Sequence, residues 1–216
     1  TRPPLPFSPG SDIAGIVMEI GPDVADFRVG DRVLGTLPHG GFREEAVAAA
    51  ARLVAMPPGL DWASAAAVGL PYTTSYHALK DCAALRDGET LLVLGAAGGV
   101  GIAALELGKL MGARVIACAS SAQKLETCMR YGADAAVNYE DAAWPERVKE
   151  LTGGRGADVV YDAVGGKYAE PALRRLAMRG RYLVVGFAAG TIPSIALNLV
   201  LLKDRKSTRL NSSHRT

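Results

Sequence analysis

Between residues 90 and 187, short apolar, β-rich runs alternate with stretches in which apolar residues recur every three or four positions. The runs lie at 91–94, 114–119, 135–139, 158–164 and 182–187. Runs that are largely apolar leave no solvent face, as expected of parallel strands covered on both sides. The stretches between them have helical periodicity. Residues 100–111, with Ile102, Leu105 and Leu110 in phase, stop at Gly112, and residues 122–131 stop at Gly132. Two more, around 146–151 and 169–178, stop at Gly153 and Gly180. A glycine just past the last periodic residue is what a left-handed C-cap requires. Strand and helix in strict alternation make a βαβ series, hence an α/β fold with a Rossmann-type doubly wound parallel sheet.

Before residue 90 the period shortens. Pieces at 12–20, 31–37, 42–48 and 52–56 alternate like strands and are separated by Gly21-Pro22-Asp23, Pro57-Pro58-Gly59 and similar turns. They predict a small, mostly antiparallel β domain. An alanine-rich helix from Trp62 and another through 76–79 are expected to link it to the sheet. The expected divisions are therefore 1–75, 76–203 with its last strand missing, and 204–216. That last stretch, DRKSTRLNSSHRT, is abruptly polar and basic with one Leu and no periodicity, so it reads as a disordered or non-native tail. A flexible native terminus and a translated adaptor are the two sources weighed. The chain opens without Met in a proline run, and truncation at both ends is the expectation.

Composition narrows the partners. Of 216 residues 49% are apolar, and a net charge of +2 comes from scattered charges of both signs. This gives no basic surface for nucleic acid or an anionic membrane. The longest apolar stretch, 182–202, is broken by Gly186, Gly190, Pro193 and Asn198, and fails as a membrane span. No signal-peptide pattern opens the chain. Cys82, Cys118 and Cys128 form no CxxC pair, which fits reduced thiols in a cytoplasmic protein.

The candidate chemistry sits after the first parallel strand. Residues 91–94 run into Ala96-Ala97-Gly98-Gly99-Val100-Gly101, which runs into a helix. Read as G-x-G-x-x-G, Ala96 takes the first position, with Gly98 and Gly101 in the others. Small residues let the backbone approach a pyrophosphate, and the helix start offers unpaired N–H groups to it. A glycine turn standing alone is an ordinary loop; its strand, helix and βα context make it a dinucleotide fingerprint. Cofactor choice is read at the end of the second strand, where an acid would bond the ribose of NAD. Ser120 and Ser121 stand there, with Lys124 following. Hydroxyls and an ammonium suit a 2′-phosphate, so NADP(H) is expected. The plainer reading of the serines is an N-cap, compatible with phosphate binding. That of Lys124 is a solvated helix face.

In order along the chain, PGSDIAGIV, VGDRVLG, GFREEAV, TSYHAL, LVLGAAGGVG, SSAQKL and GADAAVNY resemble the zinc-independent quinone oxidoreductase branch of the medium-chain dehydrogenase/reductase superfamily, over residues 5–203. The resemblance implies part of a GroES-like β domain before the Rossmann domain, and a homodimer in the full-length protein. It also implies NADPH-dependent reduction of a quinone or α,β-unsaturated carbonyl, a small-molecule substrate. It further implies that Thr74 contacts the nicotinamide side, that Ser121, Lys124 and Tyr139 contact the adenosine phosphate, and that Gly186 and Phe187 bind the nicotinamide amide through the backbone. Core or loop roles are the plainer readings of each, Tyr139 above all.

Zinc-dependent relatives carry a His–Glu pair where this chain has Ser11 and Asp12. His39 and His77 have no Cys or His at ligand spacing. No metal is expected, and no catalytic residue is assigned; solvent can supply the proton. Tyr76 and Lys80 form a Y-x-x-x-K pair, but they precede the glycine turn and read as incidental helix neighbours. The alternatives are an enoyl thioester reductase of the same superfamily and a non-catalytic NADPH- or RNA-binding relative or fragment.

Overall fold

The computed structural model describes residues 5–201 and 206–209 and divides the chain at residues 73/74 into two units. In the first, β1 (Asp12–Ile16), β2 (Arg32–Thr36) and β3 (Leu53–Ala55) form an antiparallel sheet in that order, with Ala14 opposite Leu34 and Leu34 opposite Val54. Leu34, Met56 and Ala65 make its small core. At Gly35 a Cβ would lie 2.2 Å from the Arg52 carbonyl oxygen, so only glycine lets the strands pass there.

Helix α1 (Trp62–Tyr76) starts at Asp61, whose Oδ1 accepts from the Ser64 N–H at 3.0 Å. Arg32 lies over the Trp62 ring at 4.3 Å and donates to the Leu60 carbonyl, fixing the entry to α1. The strand expected at 42–48 does not form. Phe42 and Gly41 bond back to the Pro9 and Gly10 carbonyls, and Phe42 and Val47 are exposed. With Arg43, Glu44 and Glu45 between them, this apolar pair has no core face to occupy. The two helices expected after Trp62 are one run, α1 leading straight into a π-helical turn at His77–Cys82.

The second unit carries the parallel sheet: β4 (Thr90–Leu94), β5 (Arg114–Ala119), β6 (Ala135–Asn138), β7 (Ala157–Asp162) and β8 (Leu176–Val184). The strand order is β6-β5-β4-β7-β8, with Leu91 opposite both Val115 and Val159. Every residue of β4 is buried, which explains the run without polar breaks. Leu91 and Val93 point into one core with Ala104 and Leu105 of α2 (Gly99–Leu110). Leu92 and Leu94 point into the other, with Val148 of α4 (Trp144–Leu151) and Leu173 of α5 (Ala169–Arg174). Helix α3 (Ala122–Arg130) packs against β5 and β6. Gly112 and Gly132 take φ of +80° and +91° after α2 and α3, as their C-cap positions demand.

The helix expected over 169–178 ends at Arg174. Leu176 pairs with Ala157 and starts β8, and the left-handed turn falls at Arg179 (φ +59°). After α6 (Leu197–Leu201), β9 (Lys206–Arg209) lies parallel to β8. Part of the stretch read as a tail is therefore placed at the sheet edge, where backbone pairing needs no apolar side chain. Residues 1–4, 202–205 and 210–216, which share in the expectations about the two ends, lie outside the described residues. Among the described residues no helix is long and apolar enough to cross a membrane.

Candidate cofactor site

The chain leaves β4 through Gly95, at φ +72°, where a Cβ would lie 2.8 Å from Val164 Cγ2. Gly98 is extended (φ −82°, ψ 168°) and no side chain caps α2. The first helical bond runs from the Ile102 N–H to the Gly98 carbonyl at 2.8 Å. The N–H groups of Gly99, Val100 and Gly101 thus precede the bonded ladder and face outward with the positive end of the helix dipole. At Gly101 a Cβ would lie 2.3 Å from the Gly95 oxygen and 2.7 Å from Ala96 Cα, both backbone atoms. The turn glycine is Gly95, and Ala96 is a buried residue bonded to the Cys118 carbonyl. The residue with the positive φ is Gly95, one before Ala96, which the sequence reading put at the first position. The signal was a glycine directly after an apolar strand.

At the end of β5, Ser121 is the N-cap of α3 and its Oγ accepts from the Lys124 N–H at 3.4 Å. The Lys124 ammonium donates to Ser120 Oγ at 3.0 Å. Burial pushes the Tyr139 hydroxyl up, and the nearby Ser120 hydroxyl pulls it the other way. Ser120, Lys124 and Tyr139 therefore converge beside the start of α3, which Ser121 caps. Tyr139 packs on Tyr168 with ring centroids 4.5 Å apart and planes tilted by 43°, and Tyr168 and Lys167 both donate to Glu140. Tyr168 and Lys167 were not singled out in the sequence, since the βα loop after β7 carries no motif.

Sheet order reverses between β4 and β7, which makes their carboxyl ends the switch-point crevice. On the β7 side Asp162 is buried. Its Oδ1 accepts from the Val164 and Gly165 N–H groups, each at 2.8 Å, and its Oδ2 from the Tyr182 hydroxyl at 2.7 Å. Its carbonyl takes the N–H groups of Val185 and Gly186. Gly186 is thus already engaged, and Phe187 is the residue of that pair with an N–H left to offer a ligand. Thr74 is half-buried near the end of α1. Its neighbour Ser75 is fully buried and donates to the Val100 carbonyl at 2.9 Å, so the Tyr161 hydroxyl must donate to Ser75, at 2.8 Å. Tyr161→Phe is expected to lower the stability of this unit by about 1 kcal/mol in urea unfolding, because a buried acceptor loses its donor.

His39 meets the edge of the Phe7 ring, and among the described residues no group of three or more His, Cys, Asp or Glu side chains could hold a metal ion. Tyr76 and Lys80 are exposed on the helix and its π-helical turn.

A parallel sheet that turns over at the glycine helix, following a small antiparallel β unit, defines the class: a Rossmann-type domain behind a partial GroES-like one. The zinc-binding dehydrogenase family matches residues 99–214, and the alcohol dehydrogenase GroES-like domain matches residues 1–58. The chain belongs to the medium-chain dehydrogenase/reductase superfamily and is quinone oxidoreductase-like within it. It is 42% identical over 204 residues to quinone oxidoreductase-like protein 2 of Bos taurus, covering 94% of this chain and 58% of that protein. The crystal structure of Escherichia coli quinone oxidoreductase complexed with NADPH superposes with a TM-score of 0.90 at 32% identity, over 98% of this chain and 65% of that one. The CurK enoyl reductase structure gives 0.85 at 29% identity, over 95% and 61%. The chain spans about 58% of the length of the first curated relative.

Proposed function

We propose that this chain binds NADPH and belongs to a protein that passes a hydride to a quinone or α,β-unsaturated carbonyl without zinc. The observation that carries the reading is the uncapped, glycine-walled start of α2 facing the Ser120–Lys124–Tyr139 cluster one strand away. The turn fits the cofactor because α2 starts without a side-chain cap, and it sits close on the end of β4 because a Cβ at Gly95 or Gly101 would meet Val164 or the Gly95–Ala96 backbone. The N–H groups of Gly99, Val100 and Gly101, beside Ala97 and Gly98, would hold the pyrophosphate. Ser120, Ser121, Lys124 and Tyr139 would hold the 2′-phosphate, Phe187 and Gly186 the carboxamide, and Thr74 the nicotinamide side. NADPH bound there supplies hydride from C4 of its ring. What the chain contributes is position: Asp162 fixes the Gly186–Phe187 segment and Ser75 fixes the start of α2.

Zinc does not fit. Ser11 and Asp12 replace the expected ligand pair, and the described residues supply no donor set. Acceptors whose product anion is delocalised need no such Lewis acid, which favours quinones and enones. A thioester enoyl substrate shares that chemistry, and the likeness to an enoyl reductase keeps it as the second reading. Three free thiols suit a reducing compartment such as the cytoplasm, and a homodimer is the expected assembly of the full-length protein.

NADPH should quench tryptophan fluorescence, and 1,4-benzoquinone should then drive loss of NADPH absorbance. Quenching without consumption would assign the chain a binding role alone; faster consumption with a crotonyl thioester would select the second reading. No quenching would overturn both.

A further inference from the structure

The π-helical turn at residues 77–82 does something an α-helix cannot. In an α-helix, residues five apart point to different sides. The wider turn, marked by the Ala83 N–H bonding the Ala78 carbonyl at 2.9 Å, turns His77 and Cys82 toward each other. His77 Nδ1 lies 2.7 Å from Asp81 Oδ2, and His77 Nε2 lies 3.6 Å from Cys82 Sγ. A carboxylate can only accept, so Nδ1 carries the proton and Nε2 of the neutral ring is the acceptor for the thiol. Nucleophile, base and the group that orients the base stand in line. His77 and Asp81 are exposed and Cys82 is half-buried, whereas Cys118 and Cys128 are buried.

We propose that Cys82 is a modification site for soft carbon electrophiles of the α,β-unsaturated carbonyl class, with His77 as its base and Asp81 holding the imidazole. Sγ bonds the β-carbon, and the C=C π pair moves to the carbonyl as an enolate. The thiol proton passes to Nε2 and then from the imidazolium to the α-carbon. No oxidant or cofactor takes part, so the outcome is independent of hydride transfer. Burial and the Asp81 carboxylate push the Cys82 thiol up, which keeps free thiolate scarce at neutral pH and makes the adjacent base matter. Other charges nearby are already paired. Arg181 of β8, which donates to the Ala83 carbonyl, is bound to Glu89, and Lys109 of α2, which packs on this turn, is bound to Asp134. Glu106 of α2, Lys80 of the turn, and Arg179 and Tyr182 of β8 are further ionisable groups on these elements.

N-ethylmaleimide, itself of this class, tests the proposal on the intact chain, with adducts mapped by mass spectrometry from about pH 6 to about pH 9. Cys82 is expected to react before the buried Cys118 and Cys128. His77→Asn should slow it at least about fivefold near neutrality. It should also convert the profile to that of an unassisted thiol, rising about tenfold per pH unit. Asp81→Asn should fall between. Superimposable profiles in wild type and His77→Asn would overturn the proposal. So would an adduct on Cys118 or Cys128 ahead of Cys82 in the wild type, which needs no variant at all.

Discussion

Gly101→Ala is expected to destabilise the second unit by about 3 kcal/mol and to weaken NADPH at least about thirtyfold. The added Cβ would meet the Gly95 oxygen and the Ala96 Cα, which are backbone and cannot swing aside. Relief requires α2 to back away from the end of β4. That moves the N–H groups of Val100 and Gly101 off the position a pyrophosphate would take, so stability and binding fall together. Gly98→Ala is the control. Its Cβ would lie 3.4 Å from the same oxygen, in a backbone conformation open to any residue. Urea unfolding should shift by less than about 0.5 kcal/mol there. Equal losses at the two glycines would contradict the packing argument.

Lys124→Ala is expected to weaken NADPH by about tenfold while leaving NADH within about twofold. The ammonium is exposed and its one described bond is to Ser120 Oγ, so its removal leaves no buried group unpaired and the fold intact. The loss should shrink at high salt, since the contact is ionic and solvent-facing. Matching losses for both cofactors would remove Lys124 from the phosphate site.

The parallel half of the fold was legible because its strands are buried on both faces: β4 carries no polar residue after Thr90, and glycines mark the ends of α2 and α3. That Ser120, Lys124 and Tyr139 lie together was legible for the same reason, as position after a strand fixes which residues reach the carboxyl end of the sheet. What sequence could not show depends on backbone detail. Phe42 and Val47 alternate like a strand but find no sheet partner. Arg175 and Leu176 leave a helical pattern early because Ala157 pairs with them. Gly95 takes the turn because its φ is positive and because a Cβ there would meet Val164. His77 and Cys82 looked unrelated at a spacing of five, which brings side chains together only if the helix widens to a π turn.

The most direct test of the account is a calorimetric titration of the unmodified chain with NADPH and with NADH at one salt concentration. A phosphate site at Ser120, Ser121, Lys124 and Tyr139 predicts NADPH binding at least about tenfold tighter than NADH. Equal affinity, or tighter binding of NADH, would contradict it.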